Sequence, residues 1–123
     1  DGNQAETCRR LARFGARSDV WRCSGADGVL NFPPECLDFV YLDARLDCQS
    51  VREDLESWWP LVRRQGVIAG HDYRDGSLPN GVYGVKSAVD AFFDLLGLPV
   101  HATIDDVPWP SWIVVKPAAG ATS

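Results

Sequence analysis

Three features of the 123-residue sequence predict an α/β domain with a mainly parallel sheet and an antiparallel edge strand. Short apolar runs rich in strand formers alternate with stretches of helical period, the order produced by strand and helix units wound onto one sheet. Two of those runs lead into a carboxylate, at the end of a buried strand where ligands of parallel sheets gather. The last two runs have no helix between them, which implies one antiparallel pairing at an edge. A chain this long buries roughly two-thirds of the surface its unfolded form exposes, so one core is expected and a second domain is not. The domain is assigned to residues 1–117, with a flexible Ala, Gly and Ser tail over 118–123.

From Asn3 to Phe14 the apolar residues Ala5, Cys8, Leu11 and Ala12 repeat at helical spacing, and Gly15 stops the helix. Asp19 to Cys23 reads as a short strand, followed by a polar loop from Ser24 to Gly28 and by Pro33-Pro34. Leu37 to Leu42 is a buried parallel strand ending in Asp43. From Gln49, Val51, Leu55, Trp58, Trp59 and Val62 share one helical face, and Pro60 breaks or kinks that helix because it removes an amide donor. Gly66 to Gly70 is the next strand and carries His71-Asp72-Tyr73 at its end. A loop over Arg74 to Gly81 precedes a helix faced by Val85, Ala88, Val89, Phe92 and Leu96 and closed by Gly97. Val100 to Ile104 and Trp112 to Val115 are the last two strands.

The formal net charge of -5, from 17 acidic and 12 basic residues, argues against nucleic-acid and anionic-membrane binding, since both need a basic surface. A small-molecule or protein partner fits that balance. No apolar run approaches the roughly 20 residues of a membrane helix, and Asp1 to Glu6 has no signal-peptide character, so a cytoplasmic setting is favoured. Cys8, Cys23, Cys36 and Cys48 are spaced 15, 13 and 12 apart, unlike a zinc knuckle or a redox pair. They are expected to be reduced residues of the core or of helix faces.

Asp43 and Asp72 lie 29 residues apart, one strand-helix-strand unit, so neighbouring strands bring them side by side. Two adjacent carboxylates repel unless a cation, a proton or a hydrogen-bonded ligand is shared, and Mg²⁺ is one solution because it favours carboxylate oxygens. The alternative is that each caps the helix that follows it. His71 beside Asp72 suits a general base or a metal ligand, and equally a packed loop histidine. The Trp58-Trp59 pair and the Pro108-Trp109-Pro110-Ser111-Trp112 segment, Trp109 foremost, suit either a pocket wall or the core.

Four segments together carry a resemblance: Leu37 to Cys48, Asp54 to Leu61, Gly66 to Tyr73, and Gly84 to Val89, joined by Pro110-Ser111-Trp112-Ile113. The set is similar to the C-terminal part of a class I S-adenosylmethionine-dependent methyltransferase. It most resembles the small-molecule O-methyltransferase-like group, whose strands end in Asp-Ala-Arg-His-Asp-Tyr and Gly-His-Asp-Tyr. The resemblance implies a Rossmann-like sheet that binds S-adenosylmethionine, and a small-molecule acceptor. Asp1 takes the place of the acid that holds the cofactor ribose, and Ser24 and Asp27 fall in the adenine loop. Asp43 joins these cofactor contacts and, with His71, the catalytic set, while in metal-dependent relatives Asp43 and Asp72 match two ligands of Mg²⁺.

The departures matter too. Leu46 and Cys48 stand where the family pattern has His and Tyr, and Tyr73 stands where metal-using relatives have a third oxygen ligand. The first strand and its glycine-rich loop, which wrap the methionine end of the cofactor, are missing from this sequence. This chain alone is therefore expected to be inactive. In the family's sheet those strands separate Val20 to Cys23 from Leu37 to Leu42. Since orphan amides are costly, either these two segments pair directly or another chain or segment completes the sheet. The second reading is a non-catalytic methyltransferase-like module that serves protein interaction or assembly.

Overall fold

The structure, a computed structural model, describes residues 2–43, 45–78, 81–105 and 108–118. Helix α1 (Gly2–Leu11) continues as a 3-10 segment, Ala12–Arg17, that kinks at Gly15, where φ is +56°. A single turn, α2 (Gly25–Gly28), is capped by Ser24. Then follow β1 (Leu37–Leu42), α3 (Cys48–Trp58), β2 (Val62–Gly70), β3 (Asp75–Leu78), β4 (Gly81–Gly84), α4 (Val85–Leu95), β5 (His101–Ala102) and β6 (Trp112–Val115).

The main sheet has the order β1-β2-β6-β5. β1 and β2 are parallel, and β6 runs antiparallel to both β2 and β5. Three strands thus share a direction, as expected of a mainly parallel sheet. The reversed strand lies between β2 and β5 rather than on the rim.

Register explains the core. Val40, Ile68 and Val114 are partners across three strands and share a face, which packs on Val51 and Leu55 of α3 and on Val85, Ala88, Val89 and Phe93 of α4. Burying each such side chain contributes roughly 1.5–3 kcal/mol. Lys116 is also buried, and its Nζ donates to the carbonyls of Trp59 and Val62 at 3.0 and 2.9 Å while standing over the Trp59 ring. The opposite face carries Phe39, Tyr41, Ile113 and Val115, all exposed.

Several sequence expectations are corrected. Residues 19–23 form no strand, and Trp21 is instead exposed, stacked on Phe32 at 5.5 Å, with its indole nitrogen donating to Asp19. Without a neighbour to pair with among the described residues, that backbone stays in irregular structure. The stretch expected to be a loop from Arg74 to Gly81 instead holds β3 and the first residue of β4, which pair antiparallel from Asp75 to Gly84. All four cysteines are free and exposed; Cys8 and Cys48 do lie on helices, but none is in the core. Cys8 is excluded from it because α1 buries no residue. Pro60 does end α3, which passes into a 3-10 turn at Trp59–Leu61. The tail beyond residue 118 lies outside the described residues.

Candidate active site

Parallel pairing of β1 and β2 places Leu42 opposite Gly70, so the residues that follow, Asp43 and His71, leave the sheet together. Donor atoms of Asp43, His71 and Asp72 lie within 4.8 Å of one another. His71 Nδ1 is 3.1 Å from Asp72 Oδ1 and 3.8 Å from Asp43 Oδ1. Asp72 adopts a left-handed φ of +55°, a conformation that costs a non-glycine residue energy and recurs at functional sites.

The alternative of simple helix caps is met by other residues. Asp47 caps α3 by accepting from the Ser50 amide at 3.0 Å. Asp75 accepts from the Ser87 amide at 2.9 Å and from its hydroxyl at 2.6 Å, at the start of α4. The Asp43 and Asp72 carboxylates are therefore turned to each other's neighbourhood rather than to helix ends. With one imidazole nitrogen set between two carboxylates, the group has the donor set for a divalent cation, or for a histidine whose tautomer is fixed by an acid.

Around this cluster the chain is clamped. Arg45 grips Asp54 of α3 through Nη2 at 2.6 Å and Nε at 3.3 Å, and donates to the Ser50 carbonyl at 3.2 Å. This ties the loop after β1 to α3, and the Asp54 carboxylate holds the Arg45 guanidinium more firmly protonated than usual. After β2, the Tyr73 amide donates to the Pro110 carbonyl at 2.9 Å, and the Tyr73 hydroxyl donates to Asp90, which Lys86 also reaches at 2.7 Å. Tyr73 thus points away from the carboxylates, so it does not supply the third oxygen there.

Burial, reinforced by the Asp90 carboxylate, pushes the Tyr73 hydroxyl from its usual 10 up to about 12. Because the folded value is raised, the stabilisation is complete below pH 10 and is lost as pH rises through about 12. In an absorbance titration one of the three tyrosines should ionise near pH 12, and Tyr73→Phe should remove that step. Loss of all tyrosine protons by pH 11 in the folded protein would contradict it.

Along the outer edge of β1 runs a cavity of about 720 Å³ lined mainly by apolar groups, with Phe39 and Trp58 among its walls. Ser24, Asp43 and Arg45 line it as well, so Asp43 faces both this cavity and the His71 cluster. Ser24 Oγ accepts from the Asp27 amide at 3.1 Å, and Asp27 itself is exposed, outside the cavity's lining. Asp1 lies outside the described residues. Leu46, in place of a histidine, lines a much smaller cavity beneath Asp43, His71 and Asp72. Sequence reasoning assigns no site role to the Arg45 and Asp54 side chains, whereas Trp112 belongs to the segment it reads as either pocket wall or core. The Arg-Leu-Asp run before α3 is the only local sign of the Arg45 clamp, since its partner Asp54 lies two helical turns further on.

A family model described as "Methyltransferase domain" matches residues 1–73. Among solved structures the fold is shared with a protein from Corynebacterium glutamicum, at 16% identity and a TM-score of 0.65, over 94% of this chain and 56% of that one. It is shared with a possible exported protein from Bordetella parapertussis, at 14% and 0.67, over 96% and 51%. An O-methyltransferase family protein from Burkholderia thailandensis matches at 15% and 0.69, over 94% and 40%. The chain spans about half the length of these structures. No curated protein matches it.

Proposed function

Because the chain belongs to the methyltransferase domain family, we propose that it is the C-terminal portion of an S-adenosylmethionine-dependent enzyme that methylates a hydroxyl oxygen of a small molecule. The observation that carries this reading is the convergence of Asp43, His71 and Asp72 at adjoining strand ends, beside an apolar cavity that Asp43 also lines. Trp58 and Phe39 offer flat apolar walls to an adenine ring, and Ser24 and Asp43 offer polar atoms beside them. On the family's pattern Asp1 holds the ribose and Asp27 joins the adenine contacts. The cofactor, when bound, supplies an electrophilic methyl group.

The residues of this chain prepare the acceptor. His71 Nδ1 lies 3.1 Å from Asp72 Oδ1, a proximity that favours the proton on Nδ1 and leaves Nε2 with its lone pair to take the proton of the acceptor hydroxyl. His71 is half-buried, so it is reachable while its orientation is held. Asp43 and Asp72 would hold a divalent cation such as Mg²⁺, which lowers the pKa of a bound hydroxyl. Among the described residues no helix is long and apolar enough to cross a membrane.

The outer edge of β1 has no strand partner among the described residues, and Phe39 and Tyr41 on that strand are exposed. Further strands, from a segment outside this chain or from another chain, complete the sheet there and close the cofactor site. This chain alone binds the cofactor weakly and is inactive. The test is calorimetry with S-adenosylhomocysteine on this chain and on a longer form. Tight binding by the longer form alone is expected, and binding by neither contradicts the enzyme reading.

A further inference from the structure

Trp112 is 1% exposed, and its indole Nε1 is a buried donor with no hydrogen-bond acceptor among the described residues. It stands opposite Gly70 in the β2–β6 register, and its ring leans over that glycine, just before His71. Trp112 also lines the small cavity beneath Asp43, His71 and Asp72, whose volume is about 10 Å³. That is room for a single water-sized oxygen, and a polar-walled space of this size is where buried water resides. Leaving an indole N–H unpaired in the core costs about 1–3 kcal/mol, whereas an oxygen in this cavity, which Asp43 and Asp72 also line, removes that cost.

We propose that this cavity holds one ordered water molecule that accepts from Trp112 Nε1 and donates to the carboxylates of Asp43 and Asp72. The water makes the three hydrogen bonds typical of a buried site. It links β6 to the strand ends of β1 and β2, so Trp112 becomes a positioning residue for the Asp43, His71 and Asp72 cluster. Such a bond gives the left-handed Asp72 a fixed carboxylate orientation from below, while His71 holds it from the side. The water belongs to the resting protein and is independent of methyl transfer.

The experiment is NMR on the ¹⁵N-labelled protein, with the Trp112 Hε1 resonance assigned through its contact with the Gly70 α protons, so that no variant is required for assignment. A direct cross-peak between this proton and a long-lived water is expected. The same resonance should move in Asp72→Asn and in Asp43→Asn, while the indole signal of exposed Trp21 stays in place. Absence of a water cross-peak in the wild-type protein overturns the proposal. So does a Trp112 resonance unchanged in both variants, which would place its acceptor elsewhere. Either variant serves if the other fails to fold.

Discussion

Gly70→Ala is expected to lower the stability of the fold by about 3 kcal/mol, the upper end of what overpacking a core costs. The added Cβ would lie 2.5 Å from Trp112 Nε1, 2.7 Å from its Cε2 and 2.7 Å from the Leu42 carbonyl oxygen. Neither obstacle yields easily: the carbonyl is backbone in the parallel ladder with β2, and the indole is enclosed by the core. Relief requires Trp112 to leave its seat against Phe93 or β1 to separate from β2 where Asp43 and His71 emerge. The same substitution at Gly2, where a Cβ meets nothing within 4 Å, should change stability by less than about 1 kcal/mol. Urea midpoints for the two variants, at unchanged slope, measure the contrast. Equal midpoints would mean that Trp112 does not lie over Gly70.

His71→Ala should reduce kcat for the proposed methyl transfer by about 10²- to 10⁴-fold in a longer form of the protein, the usual contribution of a positioned base. The side chain is 36% exposed, so its removal leaves no large core cavity and the fold should persist. KM for the acceptor should change much less, because in the proposed role Nε2 would meet the hydroxyl proton chiefly as it is transferred. Steady-state kinetics with folded protein, checked by circular dichroism, separate these effects. A kcat within threefold of wild type would remove His71 from the chemistry and leave it as a ligand or a packing residue.

Much of this arrangement was legible in the sequence, for reasons that can be traced. β1 and β6 are short apolar runs with abrupt polar ends, and the structure places them at Leu37–Leu42 and Trp112–Val115 as expected. The pairing of Asp43 with Asp72 followed from a single strand-helix-strand unit, whose two strands prove to be neighbours. Residues 19–23 misled because β-branched and aromatic residues favour strands only when a partner ladder exists, and none is present among the described residues. The β3–β4 hairpin was hidden by its glycines: Gly76 and Gly81 have φ of +131° and +139°, which reads locally as loop although the register is regular. Trp112 was legible as a strand residue, but the approach of its indole to Gly70 depends on β6 lying beside β2, a fact of topology and not of local pattern.

The most direct measurement is transfer of a labelled methyl group from S-adenosylmethionine to a pool of hydroxylated small molecules, in the longest available form of the protein. Wild type is compared with Asp43→Ala and Asp72→Ala, each with and without Mg²⁺. The account predicts transfer by wild type and a loss of at least about 100-fold in both variants, the scale expected when a positioned catalytic group is removed. Equal transfer by all three proteins would contradict it, because the cluster at the ends of β1 and β2 would then take no part in the reaction.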